Sequence, residues 1–279
     1  MNVARQTVKR CRLAWNLLRI ARDSGERWSV LQFCGKYVLH RVLPNRFLTD
    51  DLVVRLQGLK HTVGVHSGEI GVFEELYVHH AYDSLEEFIP RPDWVVFDVG
   101  ANAGFFAIQQ ASRGASVYAF EPNPEAYGRL EEAVRVNDLT GAVTMFACAL
   151  GAKPGFASIV DGDRTTVASV SFGTESSEGY DVEVDSLDEL VPRLDVRRID
   201  LLKIDVEGAE ADVLRGASIT LECVERVVVE YHSEQLLDRV SALLSLAGFT
   251  LIADRPAYPA QEQMNEGVLF AARRPAKTC

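Results

Sequence analysis

From Trp94 onward the chain alternates short β-branched apolar runs with stretches of helical periodicity, and few folds satisfy that alternation. The runs are Val95 to Val99, Ser116 to Phe120, Val143 to Ala147, Ile199 to Asp205, Val224 to Tyr231, Phe249 to Ala253 and Val268 to Ala272. Helices fit between them at Phe105 to Arg113, Pro124 to Val136, Ala209 to Ala217 and Ser233 to Ala247, with Gly248 as a stop for the last. Strands joined by helical crossovers lie parallel, so the expected fold is α/β, a Rossmann-like, mostly parallel sheet of seven strands. The final two runs have no helical stretch between them and should pair as a terminal antiparallel hairpin. About fifty residues part the third and fourth runs, which implies an insertion over about 151–197. Within it, Thr165 to Val170 and Val182 to Asp185 read as strands, and Ser186-Leu187-Asp188-Glu189 reads as a capping box opening a short helix closed by Pro192.

Two further segments precede this regime. Residues 1–50 carry ten Lys or Arg against three Asp or Glu, a local balance of +7 in a chain of net charge -11. Residues 1 to about 22 have helical spacing at Val8, Cys11, Trp15 and Leu18, with Arg5, Lys9, Arg12 and Arg19 on an adjoining face. Packing of Trp15 and Leu18 on the protein body is favoured over contact between residues 1–22 and an anionic membrane surface. A second helix is expected over Trp28 to Val42, ended by Pro44. Residues 51–92 form a lead-in with strand-like Leu52 to Leu56, and the catalytic domain is placed at 93–279. The acidic balance argues against a nucleic-acid partner. Five scattered cysteines with no C-x-x-C spacing argue against disulfides and structural zinc, and no apolar run reaches the roughly 20 residues of a membrane span, so a cytoplasmic location is expected.

Ligands of open α/β sheets bind at the carboxyl ends of the strands, so the terminal residues of each run are the ones that matter. The first run ends in Asp98-Val99-Gly100-Ala101-Asn102-Ala103-Gly104-Phe105. Its glycines allow close approach of a ligand at a helix N-terminus. A carboxylate at Asp98 would repel a pyrophosphate but suits the cationic end of S-adenosylmethionine, and the spacing is D-x-G-x-x-x-G rather than the nicotinamide-site G-x-G-x-x-G. The second run ends in Glu121-Pro122-Asn123, about twenty residues on, where an acidic side chain can accept from ribose hydroxyls. Asn123 and Pro124 should lie near the adenine, and Ala149 and Leu150, after the third run, should line its other side. The fourth run ends in Lys203-Ile204-Asp205-Val206-Glu207-Gly208-Ala209-Glu210. For Lys203 a structural ion pair with Asp98 is as reasonable as a functional role.

The strings Phe97-Asp98-Val99-Gly100-Ala101-Asn102-Ala103-Gly104-Phe105-Phe106, Ala119-Phe120-Glu121-Pro122-Asn123-Pro124 and Leu202-Lys203-Ile204-Asp205-Val206-Glu207-Gly208-Ala209-Glu210 resemble the FkbM family of methyltransferases. The resemblance runs from about Ile70 to Ala272; the segment from Gly68 to Asp83 resembles the family's lead-in, with His66-Ser67-Gly68-Glu69 departing from its usual pattern. It implies a class I methyltransferase fold and methylation of a hydroxyl on a sugar or secondary metabolite by S-adenosylmethionine. The expected cofactor residues are Asp98, Gly100, Asn102, Gly104, Phe105, Glu121, Pro122, Asn123, Ala149, Leu150 and Asp205.

A neutral alcohol attacks a methyl sulfonium poorly unless its proton is taken, so a base or a metal ion should stand beside the methyl. Asp205, Glu207 and His232 are the candidates for catalysis, His232 because its ordinary pKa lies near neutrality; a solvated residue at a helix start is the equal alternative for it. Asp205, Glu230 and His232 could instead gather a divalent cation; metal dependence is not favoured. The residues from Thr165 to Phe172 and the segment before Pro90 are expected to close over the acceptor. Two other readings stay open: a binding module that holds the cofactor without turnover, and a nicotinamide-dependent oxidoreductase.

Overall fold

The computed structural model describes residues 3–42, 51–65, 68–161, 168–171, 180–256 and 266–273. The chain divides into two compact units, Met1–His80 and Ala81–Cys279. Residues 81–92, grouped with the lead-in on sequence, thus belong to the larger unit.

In the smaller unit α1 (Val3–Ile20) is followed by α2 (Ser24–Val42). The expected first helix is present, but a different face of it is covered. Leu13, Leu17 and Ala21 are buried, Leu18 is half-buried and Trp15 is 65% exposed. Four-residue steps keep 13, 17 and 21 on one seam, and Trp15, two residues out of phase, falls on the far side with the exposed Arg12 and Arg19. The side chains of Val8 and Cys11, and Pro44, lie outside the described residues. The second helix opens at Ser24 rather than Trp28, because Glu26 braces the turn before it. Its carboxylate accepts the N–H of Arg22 at 2.7 Å and the N–H of Gly58 at 2.6 Å.

Gly58 belongs to an antiparallel hairpin of β1 (Asp51–Leu56) and β2 (Leu59–Gly64), of which the sequence suggested only the first strand. Both turn residues, Gln57 (φ 55°) and Gly58 (φ 83°), are left-handed, which matches the twist of a two-residue hairpin. Then α3 (Glu69–Glu74) begins, and the Glu69 carboxylate, 2% exposed, accepts the N–H of Gly64 at 2.7 Å. Glu69 therefore ties helix to hairpin within this unit. His66 and Ser67 lie outside the described residues.

The larger unit holds the expected sheet. Its elements are β3 (Val95–Val99), α4 (Phe105–Ser112), β4 (Ser116–Phe120), α5 (Pro124–Val136), β5 (Val143–Phe146), β6 (Ala149–Leu150), β7 (Gly155–Asp161), β8 (Ala168–Ser171), β9 (Tyr180–Asp185), α6 (Leu187–Arg193), β10 (Leu201–Ile204), α7 (Glu210–Arg215), β11 (Arg226–Tyr231), α8 (Glu234–Leu246), β12 (Phe249–Arg255) and β13 (Gly267–Arg273). The seven-stranded sheet runs β12-β13-β11-β10-β3-β4-β5. Strands β11, β10, β3, β4 and β5 pair in parallel, whereas β13 is antiparallel to both β11 and β12. The expected terminal hairpin is present with its last strand inserted inward. Val268 to Ala271 of β13 are fully buried, while Thr250 to Arg255 of the edge strand β12 are at least partly exposed. A continuous apolar run suits an interior strand and a mixed run suits an edge.

The insertion forms a second, four-stranded sheet of order β6-β9-β7-β8, packed around Ala157, Ile159, Val182 and Val184. Of the residues expected to close over an acceptor, Ala168 to Ser171 form β8, and Thr165 to Val167 and Phe172 lie outside the described residues. The expected capping box opens α6 without its cap: the Ser186 hydroxyl makes no capping bond, and the helix runs past Pro192 to Arg193. Asp188 turns away from the helix backbone to accept the N–H groups of Ile219 and Thr220 and the hydroxyl of Ser218.

The chain steps from β3 to β4 and β5 on one side, then returns to β10 and β11 on the other. The switch point lies between β3 and β10, and the carboxyl ends of those two strands form the natural crevice of the sheet.

Candidate active site

The loop after β3 is held open by backbone geometry. Gly100 (φ 80°) sits so close to β10 that a Cβ there would meet the Asp205 carbonyl oxygen at 1.8 Å. Only glycine fits, and the contact sets the loop directly against Asp205. Asn102 (φ 49°) and Gly104 (φ 83°) continue the left-handed path, with Asn102 Oδ1 accepting the N–H of Ala103 at 2.7 Å. Phe105 and Phe106, both buried, then open α4.

Glu121 closes the loop from the β4 side. Its two oxygens accept the N–H of Asn102 at 2.7 Å and the N–H of Asn123 at 2.8 Å, and the residue is 7% exposed. A carboxylate has about four acceptor positions, so the two bonds leave capacity for a ligand's hydroxyls. Burial lifts Glu121 to about 7, against the pull of those N–H groups. Asn123 acts on this group from behind. Its backbone positions Glu121, and its Oδ1 caps α5 by accepting from Glu125 and Ala126 at 2.9 and 3.1 Å. Pro122 lies half-buried between them, and Ala149 and Leu150 are buried in β6, paired with β9. The structure thus gathers Gly100, Asn102, Gly104, Phe105, Glu121, Pro122 and Asn123 into one loop assembly, and sets Ala149 and Leu150 in β6, on the edge of the second sheet.

Asp98 is differently disposed from the sequence argument. It is wholly buried beside Lys203, its register partner across β3 and β10, with Lys203 Nζ 3.1 Å from Asp98 Oδ1. The same ammonium donates to the Gly100 carbonyl at 2.8 Å and lies 3.4 Å from Asp205 Oδ2. Burial works against the charge on Lys203, but the Asp98 and Asp205 carboxylates outweigh it and hold the ammonium protonated. Asp98 therefore spends its charge on Lys203, under the loop, and the carboxylate that reaches the crevice is Asp205, 24% exposed.

Asp205, Glu207 and His232 do converge. One ligand atom from each lies within 4.8 Å of the other two. His232 Nε2 is 3.4 Å from Glu207 and 3.9 Å from Glu230, and its Nδ1 is 3.5 Å from Glu210. The turn that presents Glu207 is left-handed twice, at Glu207 (φ 54°) and Gly208 (φ 114°). A non-glycine residue in that region costs about 1–3 kcal/mol and is retained where the surroundings impose it. Here the imposing group is Glu210, wholly buried, whose Oε1 accepts the N–H groups of Val206 and Gly208 at 3.2 and 3.0 Å.

Burial lowers the His232 pKa, but the Glu210 hydrogen bond and the Glu207, Asp205 and Glu230 carboxylates outweigh it and push the imidazole up to about 10. Burial raises Glu207 to about 7, with Asp205 adding to the rise. With these neighbours His232 keeps its proton at neutral pH.

One participant stands in the sequence only as part of the lead-in resemblance, with no role attached to it. The Tyr82 hydroxyl donates to Glu230 and lies 3.2 Å from Asp205 Oδ2, across 148 and 123 residues of sequence. Its ring meets Phe106 edge-on at 5.6 Å, and Lys203 Nζ stands 5.4 Å from the ring centroid. Glu210 was visible only as the end of a string; its brace on the Glu207 turn needs coordinates.

The chain matches the model of the methyltransferase FkbM domain over residues 98–251, from the end of β3 to the start of β12. It is 35% identical over 164 residues to the hexuronic acid methyltransferase AglP of Haloferax volcanii, covering 58% of this chain and 65% of that protein. It is 31% identical over 246 residues to the 31-O-demethyl-FK506 methyltransferase FkbM of Streptomyces tacrolimicus, covering 76% and 93%. Among solved structures, a Streptococcus mutans protein assigned to the S-adenosylmethionine-dependent methyltransferases superposes with TM-score 0.53 at 11% identity over 82% of this chain and 57% of that one, a likeness of fold alone. With a family match over more than half its length, the chain belongs to the FkbM family of S-adenosylmethionine-dependent methyltransferases.

Proposed function

We propose that the protein transfers the methyl group of S-adenosylmethionine to a hydroxyl of a sugar or other small molecule. The observation that carries this is the convergence of Asp205, Glu207 and His232 directly against the Gly100–Gly104 loop. The loop assembly with Glu121 suits a ribose and offers backbone N–H groups at the start of α4, and the adjoining cluster is acidic, as a sulfonium and a proton-losing acceptor both require. The relatives named for a hexuronic acid and for the 31-O position of FK506 support a hydroxyl acceptor.

In the reaction the hydroxyl oxygen forms the new C–O bond as the S–CH3 bond breaks. The electron pair of that bond stays on sulfur, leaving a neutral thioether, and the hydroxyl proton passes to the Asp205–Glu207–His232 group or to water beside it. Asp205 and Glu207 favour the positive charge of the donor, and Tyr82 and Glu210 hold them in place.

The test is incubation with labelled methyl donor and a panel of sugars and cell-extract small molecules, followed by identification of the labelled product. An O-methylated product is expected. Tight binding of S-adenosylhomocysteine with no transfer to any acceptor would instead favour a binding module, and tight NAD binding with none of S-adenosylhomocysteine an oxidoreductase.

The net charge of -11 supports a small-molecule rather than a nucleic-acid acceptor. Cys34, Cys148 and Cys223, all unpaired, fit the reducing conditions of a cytoplasmic location, and no helix among the described residues is long and apolar enough to cross a membrane. Exposed Trp15 and Trp28 among Arg12, Arg19, Arg22 and Arg27 support weak contact of the basic N-terminus with an anionic surface, which co-sedimentation with anionic liposomes reads directly.

A further inference from the structure

We infer that Asp205, Glu207 and His232 form a binding site for one divalent first-row transition-metal cation, placed to hold the oxygen that receives the methyl group. The role given to the ion rests on the methyltransferase reading above; its binding does not. Sequence favoured no metal, and its alternative set took Glu230 where the structure brings in Glu207.

Geometry comes first. The three side chains offer two carboxylate oxygens and an imidazole nitrogen within 4.8 Å of one another. Ligand atoms sharing an ion at about 2.0–2.2 Å stand roughly 3–4 Å apart, so closure around an ion needs only sub-ångström adjustment of side chains at a partly open mouth.

The orientation of His232 is the second observation. Nδ1 faces Glu210, while Nε2 faces only carboxylate oxygens, of Glu207 at 3.4 Å and Glu230 at 3.9 Å. Nε2 points into those carboxylate oxygens, so a divalent cation can take the place that its proton holds among them. A carboxylate behind Nδ1 with Nε2 turned toward acidic side chains is how a ligating imidazole is fixed in tautomer and direction.

Glu210 supplies the third. It is wholly buried and faces His232, and among the described residues its Oε2 has no hydrogen-bond partner. The oxygen 3.5 Å from Nδ1 is Oε1, fixed by the Val206 and Gly208 N–H groups, and a carboxylate so held behind an imidazole raises that ring's affinity for a cation. Charge count agrees: Lys203 is shared between Asp98 and Asp205, while Glu207, Glu210 and Glu230 face one histidine.

The mixed oxygen and nitrogen set suits Mn2+ or a similar first-row ion better than Ca2+, which prefers an all-oxygen shell. Three protein ligands leave positions for two oxygens of an acceptor. Preferred substrates would then carry a second oxygen next to the methylated hydroxyl, as a vicinal diol or a hydroxy acid does.

The test is titration of full-length, chelator-treated protein with MnCl2, followed by electron paramagnetic resonance of the free ion, with S-adenosylhomocysteine binding measured in parallel by calorimetry. The expected result is about one Mn2+ per chain, weakened about 10-fold or more in His232→Ala and in Glu207→Gln, the latter a conservative change on a partly exposed turn that keeps the fold. Glu210→Gln should weaken it as well. Homocysteine-nucleoside binding without any Mn2+ uptake, or uptake that all three variants leave unchanged, overturns the cation site while the methyltransferase reading stands. Mn2+ uptake without nucleoside binding overturns that reading and leaves the cation site in place.

Discussion

Two groups of charged side chains meet at the carboxyl edge of the sheet, and they are built to opposite rules. Under the loop, Asp98 and Lys203 are 0% and 4% exposed, balanced one against one and locked by strand register. At the mouth, Asp205, Glu207 and His232 are 22–30% exposed and carry an excess of acid, on a turn kept in a strained conformation by Glu210. A closed, balanced pair holds two strands together; an open, unbalanced group is left for a ligand to complete. Residue type alone does not separate them, since both are carboxylates facing a cation.

Breaking the balanced pair should give the largest effect on stability. Lys203→Met leaves Asp98 buried without a partner and should cost about 3–5 kcal/mol in urea unfolding, and adding Asp98→Leu should recover much of that. Failure of the second change to recover anything would mean the pair is more than scaffold. Breaking the open group should act on turnover first: His232→Ala should lower turnover about 100-fold or more, with an unfolding cost smaller than that of Lys203→Met.

Glu121→Ala should raise the dissociation constant for S-adenosylhomocysteine about 10-fold or more, the loss of hydrogen bonds to a charged group worth roughly 1.5–3 kcal/mol.

The pH dependence of the same residue is smaller and has two signs. Burial raises its folded pKa to about 7, so from this group alone the free protein gains stability as pH falls from about 8 to about 6. Ligand hydroxyls need the ionised acceptor, so nucleoside binding should weaken over that interval and become flat in Glu121→Gln. Tyr82→Phe, which removes one hydrogen bond to Glu230, should reduce turnover by only about 2- to 10-fold.

Much of the larger unit was legible because its signals are local. Each strand of the main sheet announces itself as an apolar run, and Gly100, Asn102 and Glu121 sit at strand ends where chemistry is expected. Features that depend on contacts between distant segments were not legible. Tyr82 joins Asp205 and Glu230 through no spacing rule, and β13 enters between β11 and β12 although it follows both. The Gln57-Gly58 turn lacks the Asn or Asp that advertises such hairpins, and its left-handed glutamine is visible only in the backbone. Asp98 shows a different limit. Its charge suits a ligand on sequence, with an ion pair to Lys203 weighed beside that reading, and register delivers the charge to Lys203.

The contrast between scaffold, cofactor loop and open cluster is tested most directly by calorimetric titration of S-adenosylhomocysteine into wild type, Glu121→Ala and His232→Ala side by side. Tight binding by wild type, a dissociation constant raised about 10-fold or more in Glu121→Ala and a value within about 2-fold of wild type in His232→Ala are predicted. Equal affinity in wild type and Glu121→Ala, or no binding by any of the three, would contradict the placement of the cofactor at the β3 and β4 ends.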